Sequence, residues 1–304
     1  MNIIEFKDIE KEDKPIFDKA FKSQYYENAE YTFTNLYMWR VLFNIQFAFE
    51  DDVLYISSSN KSTLGAWQPI GTPEKMQESI TKLLEWGEAH KGNKEFKFVT
   101  LEKKFVEELE KYPHAKFNIE ADRDSFNYVY LADDLINLSG RKFHSKKNHL
   151  NAFRKDYPNA EYLPITEDII PQCHEELNRW YEIHRKEFPD DPLLCYEQAA
   201  IHEIFDNFTD FKVKGGAIKL NDKIIAFTFG EQLNDDTAVI HVEKADPDIR
   251  GAYPAINQGF VAHEWSNMKY INREEDMGLE GLRKAKESYK PIKMIETFNA
   301  TIAP

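Results

Sequence analysis

The sequence predicts an α/β (α+β) protein with two domains, each built on a mixed central sheet flanked by helices. Its 304 residues correspond to two domains at about 150 residues each. Hydrophobic residues make up 42% and aromatic residues 14% of the chain, enough for two substantial cores. Helical and strand-like hydrophobic patterns alternate along the whole sequence, which is typical of mixed folds.

The first part of the chain contains elements of both kinds. Ile16, Phe17 and Ala20 recur at helical spacing, and Thr72-Pro73 combines an N-cap residue with a proline suited to a first helical turn. Strands are expected where apolar residues run together between turns. The predicted helices are 15–23, one beginning at Thr72 and 103–112, and the predicted strands are 41–49, 53–57, 97–100 and 127–131.

The second part begins with amphipathic helices and continues with hairpins whose turns are Asn221-Asp222 and residues 234–236. The predicted helices are 169–188, 197–208, 254–268 and 279–289, and the predicted strands are 216–220, 223–233, 237–245, 270–274 and 294–301. The GNAT acyltransferase core has the same order of elements: a hairpin, a long strand, a loop and a helix, followed by a strand, a helix and a strand. In that core a central strand splays from its neighbour and a helix begins at the split.

Pro158 and Pro164 interrupt the patterns within residues 157–168. We therefore place a domain boundary there, with a first, degenerate GNAT-like domain at 1–160 and a second one, holding the candidate cleft, at 161–304. Both together would form a tandem pair of acyl-CoA N-acyltransferase folds.

Composition excludes several classes of protein. A net charge of −14 disfavours general affinity for nucleic acids. Cys173 and Cys195 cannot form a disulfide framework and lack metal-ligand spacing, so we predict no metal. No apolar run reaches the length of a transmembrane helix, and residues 1–8 lack a signal-peptide pattern; we predict a cytoplasmic protein.

Residues 141–155 carry six Lys or Arg, two His and no acidic residue. On a helix, the apolar side chains of this segment share one face, and Lys146, Lys147 and Arg154 fall on or beside it. Cations there indicate a partly buried anion such as phosphate, which Arg141 and His144 would also meet. A solvated basic helix whose long side chains snorkel explains the pattern equally well.

Two further clusters are candidates for chemistry. His241 and Glu243 share one face of the predicted central strand, which would look into the splayed cleft, and either could act as a general base there. A polar pair on an exposed strand face is the other interpretation. On a strand, Asn272, Glu274 and Asp276 would lie on one face and Arg273 on the other. A cleft would explain this charge density, but so would a structural salt bridge within the turn.

GNAT enzymes cradle the pyrophosphate of acyl-CoA on a glycine-rich loop at the start of the central helix. The equivalent stretch, residues 249–257, keeps one glycine, and Pro254 supplies no amide donor there. Acyl-CoA is therefore the less favoured donor.

Several stretches resemble a bacterial family of uncharacterised proteins related to the C-terminal domain of phosphatidylglycerol lysyltransferases. They are residues 31–40, 138–149, 241–246, 251–253 and 270–278. That family is also similar to the Fem aminoacyltransferases. The resemblance implies tandem GNAT-like domains and transfer of an aminoacyl group from charged tRNA to an amine or hydroxyl. The sequence shows no counterpart of the lysyltransferases' membrane region, so the acceptor stays open.

We therefore predict an aminoacyl- or acyltransferase without a bound cofactor, which would meet tRNA through the basic helix. A non-catalytic GNAT-fold module that binds an anionic or aminoacylated ligand is the alternative. The predicted catalytic residues are Glu243 and Glu274. The predicted binding residues are Arg141, His144, Lys146, Lys147, Arg154, His241, Tyr253, Asn257, Asn272, Arg273 and Asp276.

Overall fold

The computed structural model describes residues 3–189 and 191–304, which form two compact units. Residues up to 127 together with 295–304 make the first unit, and residues 128–294 make the second. Met1 and Asn2, where the segment assessed for a signal peptide begins, lie outside the described residues. Among the described helices, none is both long and apolar enough to cross a membrane.

The first unit has a seven-stranded sheet in the order β1-β2-β3-β4-β5-β14-β6. β4 and β5 are parallel, and the other neighbours are antiparallel. Its strands are β1 (Lys7–Asp8), β2 (Gln46–Glu50), β3 (Val53–Ser59), β4 (Thr63–Ala66), β5 (Glu95–Leu101), β6 (Phe117–Ala121) and β14 (Phe298–Ile302). Its helices are α1 (Lys14–Phe21), α2 (Phe33–Trp39), α3 (Met76–His90) and α4 (Lys103–Glu110).

The second unit has a seven-stranded sheet in the order β13-β7-β12-β11-β10-β9-β8, in which β11 and β12 are parallel. Its strands are β7 (Asn127–Leu131), β8 (Glu161–Pro164), β9 (Lys214–Leu220), β10 (Lys223–Gln232), β11 (Thr237–Ala245), β12 (Tyr270–Asn272) and β13 (Lys293–Ile295). Its helices are α5 (Ala132–Asn137), α6 (His144–Asp156), α7 (Ile170–Glu187), α8 (Pro192–Asp206), α9 (Phe208–Phe211), α10 (Ala252–Glu264) and α11 (Glu280–Glu287).

The two sheets have the same order of strands, and each contains one strand from the other half of the chain. In each sheet five strands that are consecutive along the chain are followed by a strand from the other half, β14 in the first sheet and β7 in the second. The compact units therefore divide at 127/128 and 294/295 and not at the predicted 160/161. Local patterns mark where a strand is, but its sheet depends on pairing between distant segments.

The core of the second unit lies between the sheet and helices α5, α6 and α10. Phe143, Leu150 and Phe153, the apolar stripe of the basic segment, are buried in this core. The helical interpretation of that segment is therefore correct. Beside this stripe Lys146 is half-buried, whereas Arg141, His144 and Lys147 are exposed.

The predicted strand 270–274 ends at Asn272, so the predicted alternation does not extend to Glu274, whose φ of 56° is left-handed, or to Asp276. Two more predicted strands differ from the structure. Residues 41–49 are a strand only from Gln46 onward, because a helix capped by Thr32, whose Oγ1 accepts from Asn35 N at 3.3 Å, precedes it. Residues 294–301 form two strands, β13 and β14, which belong to different sheets. In both places apolar composition alone could not separate strand from neighbouring structure. The predicted Asn221-Asp222 turn is present, with φ of 49° and 64°.

Candidate active site in the second unit

The parallel strands β11 and β12 pair over three residues and then part. Their last paired residues are Val239 and Asn272, whereas β11 continues to Ala245 beside β10. Beyond Asn272 the chain turns away as residues 273–278. The predicted splay of the central strand is therefore present, and polar side chains from both strands span it.

Glu243 forms the centre of this splay. Its Oε1 accepts a hydrogen bond from Arg273 Nη2 at 3.1 Å, and its Oε2 accepts one from Asn257 Nδ2 at 2.9 Å. Two buried atoms of these partners, Arg273 Nη1 and Asn257 Oδ1, have no hydrogen-bond partner among the described residues. Buried polar atoms without partners are rare in proteins, and a bound ligand is one explanation for them.

Lys146 brings the basic helix α6 to the same place. Its ammonium lies 4.2 Å from the ring centre of Tyr289, and the Arg273 guanidinium lies 4.8 Å from that ring. Burial and the nearby charge of Arg273 lower the pKa of Lys146, while Glu243 opposes the shift. The structure thus places Lys146 and Glu243 beside the same two groups, Arg273 and Tyr289, at the end of the splay.

His241 is held between two carboxylates. Its Nδ1 lies 2.8 Å from Glu274 Oε1 and its Nε2 lies 3.0 Å from Glu231 Oε1. Burial opposes the charge of the ring, but the hydrogen bonds to Glu231 and Glu274 prevail and raise the pKa of His241 to about 9. The side chain is 1% exposed, so at neutral pH His241 is a buried imidazolium and cannot serve as a general base.

The turn after β12 is fixed by several contacts. The Asn272 side chain accepts from Glu274 N at 2.8 Å, and Glu274 has a left-handed φ of 56°. Lys286 donates from Nζ to the carbonyl oxygen of Arg273. Backbone strain of this kind persists only where surrounding contacts determine the conformation. The contacts direct Arg273 to Glu243 and Glu274 to His241.

Asp276 has a structural environment. It is fully buried and accepts from Arg283 Nε and Nη2, each at 2.8 Å, and from Tyr128 Oη at 2.5 Å. Burial alone would raise the pKa of Asp276, but the hydrogen bonds from Arg283 and Tyr128 lower it strongly. The ion-pair alternative therefore applies to Asp276, although its partner is Arg283 and not Arg273.

The remaining predicted binding residues make no hydrogen bond to Glu243 or Arg273 that the structure shows, although burial and, to a lesser extent, Glu243 raise the pKa of Tyr253. Arg141, His144 and Lys147 are exposed on or just before α6, and Arg154 donates to Gln258 Oε1 at 3.2 Å. Tyr253 accepts from Trp180 Nε1 at 3.0 Å, at the start of α10. These residues remain predictions, and Lys146 alone joins the basic helix to Glu243.

Sequence reasoning missed several members of the site. The Tyr289 ring contacts both Lys146 and Arg273. Lys286 donates to the Arg273 carbonyl oxygen, and Glu231 is one of the two carboxylates bonded to His241. Burial lowers the pKa of Lys286 to about 8. The spacing of Lys286 and Tyr289 on and just after an otherwise charged helix was the available signal, but surface ion pairing explains such a pattern equally well.

Helix α6 also covers the start of α10. Gly251 has a φ of 87°, and a Cβ there would lie 2.6 Å from the carbonyl oxygen of His149 and 2.9 Å from Phe153 Cβ. In a GNAT enzyme this helix start would receive the pyrophosphate of CoA. Here the backbone of α6 packs closely against Gly251.

The first unit has a different arrangement after its own parallel pair, β4 and β5. Gln68 Oε1 accepts from Glu102 N at 2.9 Å, and Glu102 Oε1 accepts from the backbone N–H groups of Glu27 and Asn28 at 2.9 and 3.0 Å. Protein side chains and backbone therefore satisfy the polar groups here. Within residues 3–189 and 191–304, no group of three or more His, Cys, Asp or Glu is arranged to hold a metal ion.

The fold is a tandem pair of GNAT-like domains, as predicted. The chain belongs to the family defined by the C-terminal domain of phosphatidylglycerol lysyltransferases, whose sequence model matches residues 23–301. A conserved protein of unknown function from Bacteroides thetaiotaomicron is 36% identical, with a TM-score of 0.90 over 99% of this chain and 100% of that chain. An uncharacterized protein of Mycoplasmoides gallisepticum is 27% identical over 185 residues, which are 60% of this chain and 59% of that protein's length.

More distant structures share the fold alone. L-PGS from Bacillus licheniformis has a TM-score of 0.65 at 12% identity, covering 94% of this chain and 90% of that one. FemX has a TM-score of 0.61 at 8% identity, covering 99% and 98%. The predicted resemblance to lysyltransferase and Fem-type folds is therefore confirmed, and the chain has an aminoacyltransferase-like GNAT fold.

Proposed function

We propose that the second unit transfers an aminoacyl group from aminoacyl-tRNA to an amine or hydroxyl acceptor. The observation that carries this proposal is the buried guanidinium of Arg273, whose Nη1 lacks a partner beside the half-buried Lys146. Acyl transfer develops negative charge on a carbonyl oxygen, and a preorganised cationic donor stabilises that charge most effectively in a dry site. Family membership supports the same class of reaction.

In this mechanism the acceptor atom attacks the carbonyl carbon of the aminoacyl ester. Arg273 Nη1 donates to the developing oxyanion, and the bond to the terminal ribose oxygen then breaks. Burial lowers the pKa of Lys146 and so favours its uncharged form; in that form its amine takes the proton of the acceptor and returns it to the ribose oxygen. The reaction needs no other reactant.

Glu243 has a different role in this proposal from the predicted base. Both of its carboxylate oxygens already accept hydrogen bonds, from Arg273 and Asn257. A carboxylate so engaged holds its partners in place better than it removes protons. We therefore assign Glu243 as a positioning residue for Arg273, and Glu274 as one for His241.

The covered start of α10 supports tRNA over CoA as the donor. The glycine-rich loop is missing and α6 packs against Gly251. The exposed cations of α6, including Lys147, offer contacts to tRNA phosphates instead. Acetyl-CoA should therefore not bind at concentrations below about millimolar.

The test supplies purified protein with tRNA charged with radiolabelled amino acids, or with radiolabelled acetyl-CoA, in the presence of phosphatidylglycerol vesicles or a soluble amine. Label should move from tRNA to an acceptor, and Arg273→Lys should reduce the rate by about 10²-fold or more. Micromolar binding of acetyl-CoA would contradict the proposal. Tight tRNA binding without transfer would favour the alternative, a non-catalytic binding module.

A further inference from the structure

Asn257 carries a buried acceptor that the proposed mechanism leaves unused. The residue is 1% exposed, and its Nδ2 donates to Glu243 Oε2 at 2.9 Å. Because an ionised carboxylate only accepts hydrogen bonds, the amide orientation is fixed and the Oδ1 atom faces away from Glu243. Oδ1 has no partner among the described residues. A buried acceptor left unpaired is costly, so a ligand donor is expected there.

The second unpaired atom, Arg273 Nη1, is a hydrogen-bond donor and not an acceptor. Arg273 is bonded to the other oxygen of the same Glu243 carboxylate. A ligand that satisfies both atoms must offer an acceptor and a donor a few bonds apart. An aminoacyl ester with a free α-amino group does so. Its carbonyl oxygen accepts, and its α-nitrogen, three bonds from that oxygen, donates.

We propose that Asn257 Oδ1 receives the free α-amino group of the transferred aminoacyl group, so that the site selects donors whose α-nitrogen is unblocked. The inference rests on the proposed function and specifies its substrate class. The Glu243 carboxylate adds a charge that favours an ammonium group at this position. A donor without the α-nitrogen would leave Asn257 Oδ1 unpaired, and such sites discriminate strongly against analogues that lack the hydrogen-bonding group.

The test measures binding with non-hydrolysable analogues of the tRNA terminus. The probes are three derivatives of 3′-amino-3′-deoxyadenosine, in which the 3′-nitrogen carries an alanyl, a propionyl or an N-acetylalanyl group. Alanine is chosen because its side chain is small. Calorimetry with the wild-type protein should show the alanyl probe binding at least about tenfold more tightly than the other two. Equal affinity for the alanyl and propionyl probes, or no binding of either at millimolar concentration, would overturn the inference.

Variants locate the preference. Asn257→Leu should bind the alanyl and propionyl probes equally, whereas the control Gln258→Leu, on the same helix, should keep the wild-type preference. A folded Asn257→Leu protein that still prefers the alanyl probe would contradict the assignment. The wild-type comparison stands on its own if Asn257→Leu does not fold.

Failure of this inference and failure of the proposed function give different results. Discrimination between the probes without transfer from aminoacyl-tRNA would disprove the transferase and leave an aminoacyl-binding module. Transfer that proceeds equally from N-acetylated and free aminoacyl-tRNA would disprove the α-amino site and leave the transferase intact.

Discussion

Single side chains determine which charges the splay of the second unit can hold. Lys146 and Arg273 are two cations against one tyrosine ring, and Glu243 is the carboxylate bonded to Arg273. Holding two like charges together in a poorly solvated place lowers stability unless another group compensates. Replacing a residue of the site should therefore reduce activity with little loss of stability, whereas replacing a purely structural residue should reduce stability.

Lys146→Met provides the first such comparison. Because burial disfavours the charged form of Lys146, its removal should leave the melting temperature within a few degrees of wild type, or raise it. Transfer from aminoacyl-tRNA should fall by about 10²-fold or more. The control is Lys147→Met, an exposed neighbour on the same helix, which should only weaken tRNA binding and its salt dependence. Equal rate losses in both variants would contradict a special role for Lys146.

His241 predicts a pH dependence of stability. Its pKa is raised from 6.5 to about 9 in the folded protein by Glu231 and Glu274 against the effect of burial. Its contribution is therefore fully present below about pH 6.5 and is lost as pH rises through about 9. The free energy of unfolding should fall over this range by an amount on the order of 3 kcal/mol relative to His241→Gln. Chemical denaturation at a series of pH values measures it.

The control for this pH dependence is His144→Gln, because His144 is exposed at the start of α6. That variant should retain the wild-type pH profile. If His241→Gln loses as much stability at alkaline pH as wild type, then Glu231 and Glu274 do not stabilise a charged His241.

At the scale of elements, the junction of α6 and α10 depends on a glycine. Gly251→Ala would place a Cβ against the backbone of His149 in a conformation with φ of 87°. We expect a loss of about 2 kcal/mol or more in the free energy of unfolding, because strain and overlap add. Gly281→Ala is the matched control, since nothing lies within 4 Å of its would-be Cβ. Within α11 it should stabilise by about 0.5–1 kcal/mol, and denaturant midpoints will separate the two.

The turn after β12 predicts a second difference at this scale. Asp276→Asn leaves Arg283 without its buried carboxylate and should cost about 3 kcal/mol. Since the pKa of Asp276 is lowered by Arg283 and Tyr128 despite burial, its contribution is present above about pH 4 and is lost as pH falls. The variant should therefore show a shallower acid denaturation profile.

Glu280→Gln is the control for that experiment. Glu280 pairs with Lys284 on the surface, where their side chains are 79% and 72% exposed. Exposed pairs contribute about 0–1 kcal/mol, so its melting temperature should remain close to wild type. A similarly small loss for Asp276→Asn would mean that the turn does not depend on the Arg283 pair.

At the scale of the whole molecule, the exchanged strands predict that the chain cannot be cut at residue 160. Residues 1–160 lack β14, and residues 161–304 lack β7, although both strands lie inside sheets. Each half should fail to unfold cooperatively by itself, because an internal strand leaves two rows of unpaired backbone groups when it is removed. Co-expressed halves should form a complex with the helical and strand content of the full chain. Cooperative unfolding of either isolated half would contradict the exchange.

The sequence by itself determined the mixed fold class, most helices and strands, the splayed central strand and the basic helix with its buried apolar stripe. These features follow from local periodicity and turn chemistry, which are written in neighbouring residues. The resemblance to the lysyltransferase family also came from the sequence. Spacing and charge pattern brought Lys146, Glu243 and Arg273 forward as candidates, and their roles stay predictions.

The tertiary structure decided the rest. The sheets to which β7 and β14 belong depend on pairing across more than a hundred residues, for which local patterns carry no signal. The same holds for side-chain partners. Glu231 and Glu274 both bond to His241, Arg283 pairs with Asp276, and the Tyr289 ring contacts both Lys146 and Arg273. Charge and burial at a site arise from which distant groups meet, and only the folded chain brings those groups together.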